Sequence, residues 1–151
     1  MSSKIILLVE DNRDDEMLTI RAFKKSSIAN EIVVARDGVE ALDYLFRRGK
    51  QAERQPDEMP QVVLLDLNLP RVGGLDVLQQ LRADARTKLL PVVVLTSSRE
   101  EEDIVRSYSF GANAFVRKPV EFSLFLDAVR TLGLFWVLLN EPAPASPPQA
   151  R

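Results

Sequence analysis

Four short apolar runs in this chain each end on a polar residue, and together they restrict the fold more than any other feature. Ile5-Ile6-Leu7-Leu8-Val9 stops at Glu10-Asp11, and Val62-Val63-Leu64-Leu65 stops at Asp66. Val92-Val93-Val94-Leu95 stops at Thr96-Ser97, and Ala114-Phe115-Val116 runs into Arg117-Lys118-Pro119. Short, largely β-branched runs bounded by turn residues read as strands covered on both faces. If they lie parallel in one sheet, their carboxyl ends share the edge at which open α/β sheets bind ligands. Three carboxylates, a hydroxyl and a lysine then converge on one crevice, a donor set suited to a hard metal ion and a phosphoryl group.

The segments between the runs read as helices, giving five alternations and a doubly wound (βα)5 domain with a parallel five-stranded sheet. Met17, Ile20 and Phe23 recur three residues apart and predict a helix from about Arg13 to Ser26. Glu31 to Ala35 is a second strand. Asp37 with Glu40 forms a capping-box pattern, and Val39, Leu42 and Phe46 mark the buried face of the helix it opens. Residues 49–60 are a polar loop. Pro70 and Gly73-Gly74 make a turn, after which Leu75, Leu78 and Leu81 line a third helix. Ser98 with Glu101 repeats the capping-box pattern before a fourth helix around Ile104 and Tyr108, which Gly111 closes. Glu121 opens the fifth. Residues 1–140 are thus expected to form one domain. Residues 141–151 hold four prolines in eleven positions and are expected to be extended or disordered.

Composition removes several kinds of chemistry. The chain has 22 acidic against 20 basic residues, so its net charge of −2 offers no broad attraction to nucleic acid. With no cysteine there are no disulfides and no thiolate metal sites. With no histidine there is no imidazole base, no Ser/His/Asp triad and no imidazole zinc ligand. The chain therefore cannot carry a phosphohistidine itself, and such a donor has to be another protein. No signal-peptide pattern opens the sequence, and the apolar stretch from Leu132 to Leu139 is far short of the ~20 residues that span a bilayer. A cytoplasmic protein without membrane contact is the expectation.

Glu10 and Asp11 admit two readings. Acids near a helix start bind its unpaired N–H groups and its dipole, which accounts for one acid better than for two. With Asp66 nearby, three carboxylates repel unless a cation joins them, and Mg²⁺, which takes oxygen ligands, answers that need. Asp66 is either a turn former or a nucleophile able to form an acyl phosphate, with a cation offsetting the transferred charge. Asn68, two residues on, places a backbone carbonyl where it can serve as a neutral metal ligand. Thr96 reads as a cap or as a hydroxyl that swings to a phosphoryl oxygen. Lys118 reads as a surface lysine or, held by the rigid Pro119 peptide, as an ammonium that pairs with Asp66 and then with phosphate.

These residues, in this order, resemble the receiver domain of two-component response regulators over about Lys4 to Leu139. The resemblance rests on Val-Glu-Asp-Asn at 9–12, Leu-Leu-Asp-Leu-Asn-Leu-Pro at 64–70, Leu-Thr-Ser at 95–97, Gly-Ala at 111–112 and Lys-Pro at 118–119. It implies a flavodoxin-like fold with Asp66 as phosphoacceptor. It also implies a Mg²⁺ site (Mn²⁺ as a substitute) on Glu10, Asp11, Asp66 and the Asn68 carbonyl. Thr96 and Lys118 become the switch and phosphate-binding residues. The implied partner is a sensor histidine kinase, and the implied activity is limited to the chain's own phosphorylation and dephosphorylation. Residues 37–45, 107–114 and 134–139 further resemble stand-alone receivers paired with phytochrome-type kinases.

Two positions depart from the family pattern. Gly73 replaces an aspartate common in the turn after the phosphoacceptor, and Phe115 stands where many receivers have tyrosine, leaving an aromatic switch without a phenolic hydroxyl. Phe125, Val129, Leu132 and Trp136 fall at i, i+4, i+7 and i+11 and give the last helix one covering face. Further apolar residues, including Phe135 and Leu139, predict either a fully buried final helix or a homodimer through helix 4, strand 5 and helix 5. Two other functional readings compete: a receiver-like binding module independent of phosphate, and a phosphohydrolase with an aspartyl nucleophile. Against the hydrolase, Asn68 occupies the position where such enzymes carry a second aspartate for proton transfer.

Overall fold

The computed structural model describes residues 5–25, 31–53, 59–98, 100–118, 122–132, 135–136, 140–141 and 143. Five strands, β1 (Ile5–Val9), β2 (Glu31–Ala35), β3 (Val62–Leu65), β4 (Val92–Thr96) and β5 (Ala114–Arg117), alternate with five helices. The helices are α1 (Arg13–Lys25), α2 (Gly38–Phe46), α3 (Gly74–Ala83), α4 (Glu101–Ser109) and α5 (Phe122–Leu132). The sheet is parallel throughout, in the order β2-β1-β3-β4-β5. Because side chains alternate along a strand, the inner strands feed two cores. Leu7, Val9, Val63 and Leu65 meet Leu45 of α2 and Val77, Leu78 and Leu81 of α3. Ile6, Leu8, Leu64, Val93 and Leu95 meet Ala22 and Phe23 of α1, with Leu126 of α5 and Trp136 packed against them. Helices therefore cover both faces, as the alternation predicts.

Position in the sheet decides how deeply a strand is buried. β1, β3 and β4 are buried along their whole length. β5 pairs only with β4, and its residues are half-buried or exposed. The expectation that Ala114-Phe115-Val116 is covered on both faces is therefore corrected: it is an edge strand. On α1 the inward residues are Thr19, Ala22 and Phe23, and Met17 is exposed, so the Met17-Ile20-Phe23 stripe only borders the buried face. Leu42 and Phe46 of α2 are buried as expected, joined by Ala41, Tyr44 and Leu45, while Val39 is half-buried.

The two capping boxes fare differently. The Asp37 carboxylate accepts the Glu40 N–H at 2.7 Å, which caps α2. Glu40 reaches back to the Arg36 N–H at 3.4 Å rather than to that of Asp37, so the box is made one residue wide. Ser98 makes no box with Glu101. The fourth helix starts later, with Glu100 at its N-cap, and the Ser98 hydroxyl donates to Asp103 instead.

Two glycines set how closely helix starts approach neighbouring backbone. A Cβ on Gly74 would lie 2.2 Å from the Asp66 carbonyl oxygen, and one on Gly38 would lie 2.0 Å from that of Val72. Only glycine lets α3 begin against the end of β3. Among the described residues no helix is long and apolar enough to cross a membrane. Pro119, Leu139 and most of the proline-rich tail lie outside the described residues, as do the side chains of Phe125, Val129 and Leu132.

Candidate functional site

The sheet register gathers the strand ends. Val9 sits beside Leu65, and the Asp66 N–H donates to the Val9 carbonyl at 3.0 Å. The Lys118 N–H donates to the Thr96 carbonyl at 2.8 Å, which holds the end of β5 against that of β4. Since β2 lies on one side of β1 and β3 on the other, strand order reverses here and leaves a crevice at the carboxyl edge.

Helix capping does not occupy the acid pair. Asn12 caps α1, its side-chain oxygen accepting the Asp15 N–H at 2.9 Å. Glu10 is buried and accepts the Asn12 N–H at 3.2 Å. Asp11 is exposed on the crevice side, and the carboxylates of Glu10, Asp11 and Asp66 place one oxygen each within 4.8 Å of one another. This grouping of three carboxylates could hold a metal ion.

The Asp66 carboxylate is engaged on both oxygens. Its Oδ1 accepts the Thr96 hydroxyl at 2.8 Å and the Asn68 N–H at 3.2 Å, and its Oδ2 accepts Lys118 Nζ at 3.1 Å. The Thr96 hydroxyl thus already faces Asp66. Lys118 Nζ also donates to Glu10 Oε1 and, at 2.9 Å, to Asp15 Oδ2. Asp15 escaped the sequence reading. Phe115 is half-buried on β5 opposite Val94.

One buried ammonium thus faces three acids. Burial pushes the Glu10 carboxyl up to about 7, with the Asp66 charge adding to the rise against the pull of Lys118. Burial also acts to raise Asp66, but Lys118, the Glu10 proton, the Thr96 hydroxyl and the Asn68 N–H together hold it below the ordinary aspartate value. Burial acts to lower Lys118, and its bonds to Glu10 and Asp15 outweigh that and raise it. With burial as its leading cause, this rise puts Glu10 near half-protonation at neutral pH. The oxygen donors of the acidic set fit a hard divalent cation.

Fold and site together define an α/β domain whose crevice at the carboxyl edge of the sheet gathers one doubly engaged carboxylate, an acid pair, a hydroxyl and a lysine. The chain belongs to the response regulator receiver domain family, whose model matches residues 6–130. It is 41% identical over 142 residues to the probable methanogenesis regulatory protein FilR2 of Methanothrix harundinacea, covering 93% of this chain and 89% of that one. Response regulator Rcp1 of Synechocystis is 36% identical over 134 residues, 89% of each chain. The Mn²⁺-bound structure of Rcp1 matches with a TM-score of 0.86 at 33% identity, over 93% of this chain and 99% of that chain. The phosphorylated cyanobacterial phytochrome response regulator RcpA matches at 0.88 and 36% identity, over 95% and 100%. The bacteriophytochrome response regulator AtBRR is 56% identical with a TM-score of 0.73, over 93% and 100%. The chain is accordingly a relative of the stand-alone, phytochrome-associated response regulators.

Proposed function

We propose that this chain is a response regulator receiver that accepts a phosphoryl group on Asp66 from the histidine of a sensor kinase. The observation that carries the reading is the divided engagement of Asp66, with Thr96 and Asn68 on one oxygen and Lys118 on the other. These are the donors an acyl phosphate needs once its charge has grown by roughly −1.5 to −2. In the transfer, an Asp66 oxygen forms the new P–O bond as the P–N bond of the phosphohistidine breaks, and the released imidazole takes up a proton. Glu10, Asp11, Asp66 and the Asn68 carbonyl would hold Mg²⁺, or Mn²⁺ in its place. The ion offsets negative charge on the transferring group when bound. Lys118 moves its bond from Asp66 to a phosphoryl oxygen and Thr96 follows. Thr96 and Phe115, on neighbouring strands, then pass the change toward α4 and β5.

Receiver domains act as signalling modules, and the chemistry read here acts on the chain itself rather than on a separate substrate. The likeness to RcpA and AtBRR supports a bacteriophytochrome as the kinase. Residues 1–140 would be the receiver unit and residues 141–151 an appended tail. A homodimer through α4, β5 and α5 is supported by Val105 and Tyr108 of α4 and by Phe135, all largely exposed, beside an edge strand. Trp136 is half-buried and meets Phe135 edge-on with ring centroids 5.0 Å apart. It packs in part on the core, and its exposed part is proposed, with Phe135 and Leu139, for the dimer contact.

Phosphotransfer from an autophosphorylated bacteriophytochrome kinase tests this reading. Label should leave the kinase for the wild-type chain in the presence of Mg²⁺ and stay on the kinase with Asp66→Asn. Label passing equally to both chains would contradict it.

A further inference from the structure

We propose that Asp15 is a positioning residue for Lys118, holding its ammonium on the α1 side of the crevice in competition with the phosphoryl group arriving at Asp66. The inference rests on Asp66 being the phosphoryl acceptor. Three acids, Asp14, Asp15 and Glu16, open α1, and the helix dipole alone would explain all of them equally. Their side chains are not equivalent. Glu16 pairs with Arg36 at 3.1 Å, whereas Asp15 Oδ2 lies 2.9 Å from Lys118 Nζ.

The backbone of Asp15 is fixed at both ends. Its N–H donates to the Asn12 cap at 2.9 Å, and its carbonyl accepts the hydroxyl of the fully buried Thr19 at 2.7 Å. A capped and anchored helical turn therefore delivers this carboxylate to the crevice. Lys118 has two buried acceptors, Glu10 and Asp66, and one at the rim, since the Asp15 side chain is 31% exposed against 2% and 7% for the others. An ion pair at the rim is weaker than one in the interior. Asp15 can thus retain a share of the lysine without locking it. The three N–H groups of the ammonium serve all three carboxylates at once, so what Asp15 retains is withheld from the phosphoryl group arriving at Asp66.

The test uses the full chain with Mg²⁺ and acetyl phosphate, following the phosphorylated fraction over time by intact mass. Asp15→Asn should accelerate phosphorylation about two- to fivefold, the kinetic equivalent of losing one partly exposed ion pair. Asp15→Glu should stay within about twofold of wild type, because it restores the charge and the reach. In a Lys118→Ala background the Asp15→Asn acceleration should disappear. Without metal, the shifts in unfolding midpoint of Asp15→Asn and Lys118→Ala should be non-additive, as expected for direct partners. An Asp15→Asn rate equal to or slower than wild type, the same acceleration in both backgrounds, or additive midpoints would overturn the proposal. No adduct on wild type would instead overturn the acceptor reading, and this proposal with it.

Discussion

Glu10 shows how one residue ties protonation to stability. Its folded value of about 7 against an ordinary 4.5 means that between those pH values the folded chain binds more protons than the unfolded one. The stabilisation from this group is therefore complete below pH 4.5 and is lost as pH rises through about 7. Asp66 has the opposite sign: its value is lowered, so its contribution is present above the ordinary 3.8 and fades as pH falls through the lower folded value. The unfolding midpoint of metal-free protein should fall from about pH 5.5 to about pH 8, by an amount worth on the order of 1–3 kcal/mol. Glu10→Gln should flatten that slope, and Mg²⁺ should restore the midpoint at the alkaline end. Equal slopes for wild type and Glu10→Gln would sink this account of Glu10. At this scale most of the site was legible, because Glu10, Asp11, Asp66, Thr96 and Lys118 each stand at the end of an apolar run. Asp15 was not, since an acid in a first helical turn has a sufficient local explanation in the dipole. The role of Asn12 as the cap was hidden by the two acids beside it.

Among the elements, the loop from Asp66 to Gly74 is the most constrained. The Gly74 N–H donates to the Leu67 carbonyl at 3.0 Å, and Arg71 takes a left-handed backbone with φ of 69°. Gly74→Ala should destabilise by about 1–3 kcal/mol, since its Cβ meets backbone that cannot yield, and should slow phosphorylation by displacing Asp66. Gly73, the departure from the family pattern, has nothing nearer than 3.9 Å to its missing Cβ and gives α3 no side-chain cap. Gly73→Asp should therefore be tolerated, gaining a few tenths of a kcal/mol. Chemical denaturation separates the two variants, and equal effects would contradict the close-approach argument. Element types followed from apolar periodicity, and strand positions came out nearly residue for residue. The Ser98-Glu101 box failed for a physical reason. A serine before an acid also fits a turn in which the hydroxyl bonds the helix's own side chains, and here Ser98 chose Asp103. β5 was overestimated because an apolar run does not say whether a second neighbour covers it.

For the whole molecule, the doubly wound order puts every chemical group along one edge and leaves α4, β5 and α5 at the far end of the sheet. Under the proposed function, that end is where a change at Thr96 would be read by a partner. Light scattering at micromolar concentration should show a dimer for wild type and a monomer for Phe135→Ala. Trp136→Ala should lower stability by roughly 1–3 kcal/mol, less than a fully buried tryptophan would, because it packs against the core from a half-buried position. A Phe135→Ala protein as dimeric as wild type would remove Phe135 from any interface. The overall topology was readable because strand ends and helix faces repeat in strict alternation. The final segment was not, because an apolar helix looks the same whether it faces its own core or a second subunit.

The most direct test is intact mass after incubation with acetyl phosphate, with Mg²⁺ or with a chelator, for wild type and Asp66→Asn. The account predicts a single phosphoryl adduct on the wild type with Mg²⁺, and none with the chelator or on Asp66→Asn. An adduct of equal yield on Asp66→Asn, or one formed equally without a divalent cation, would contradict it.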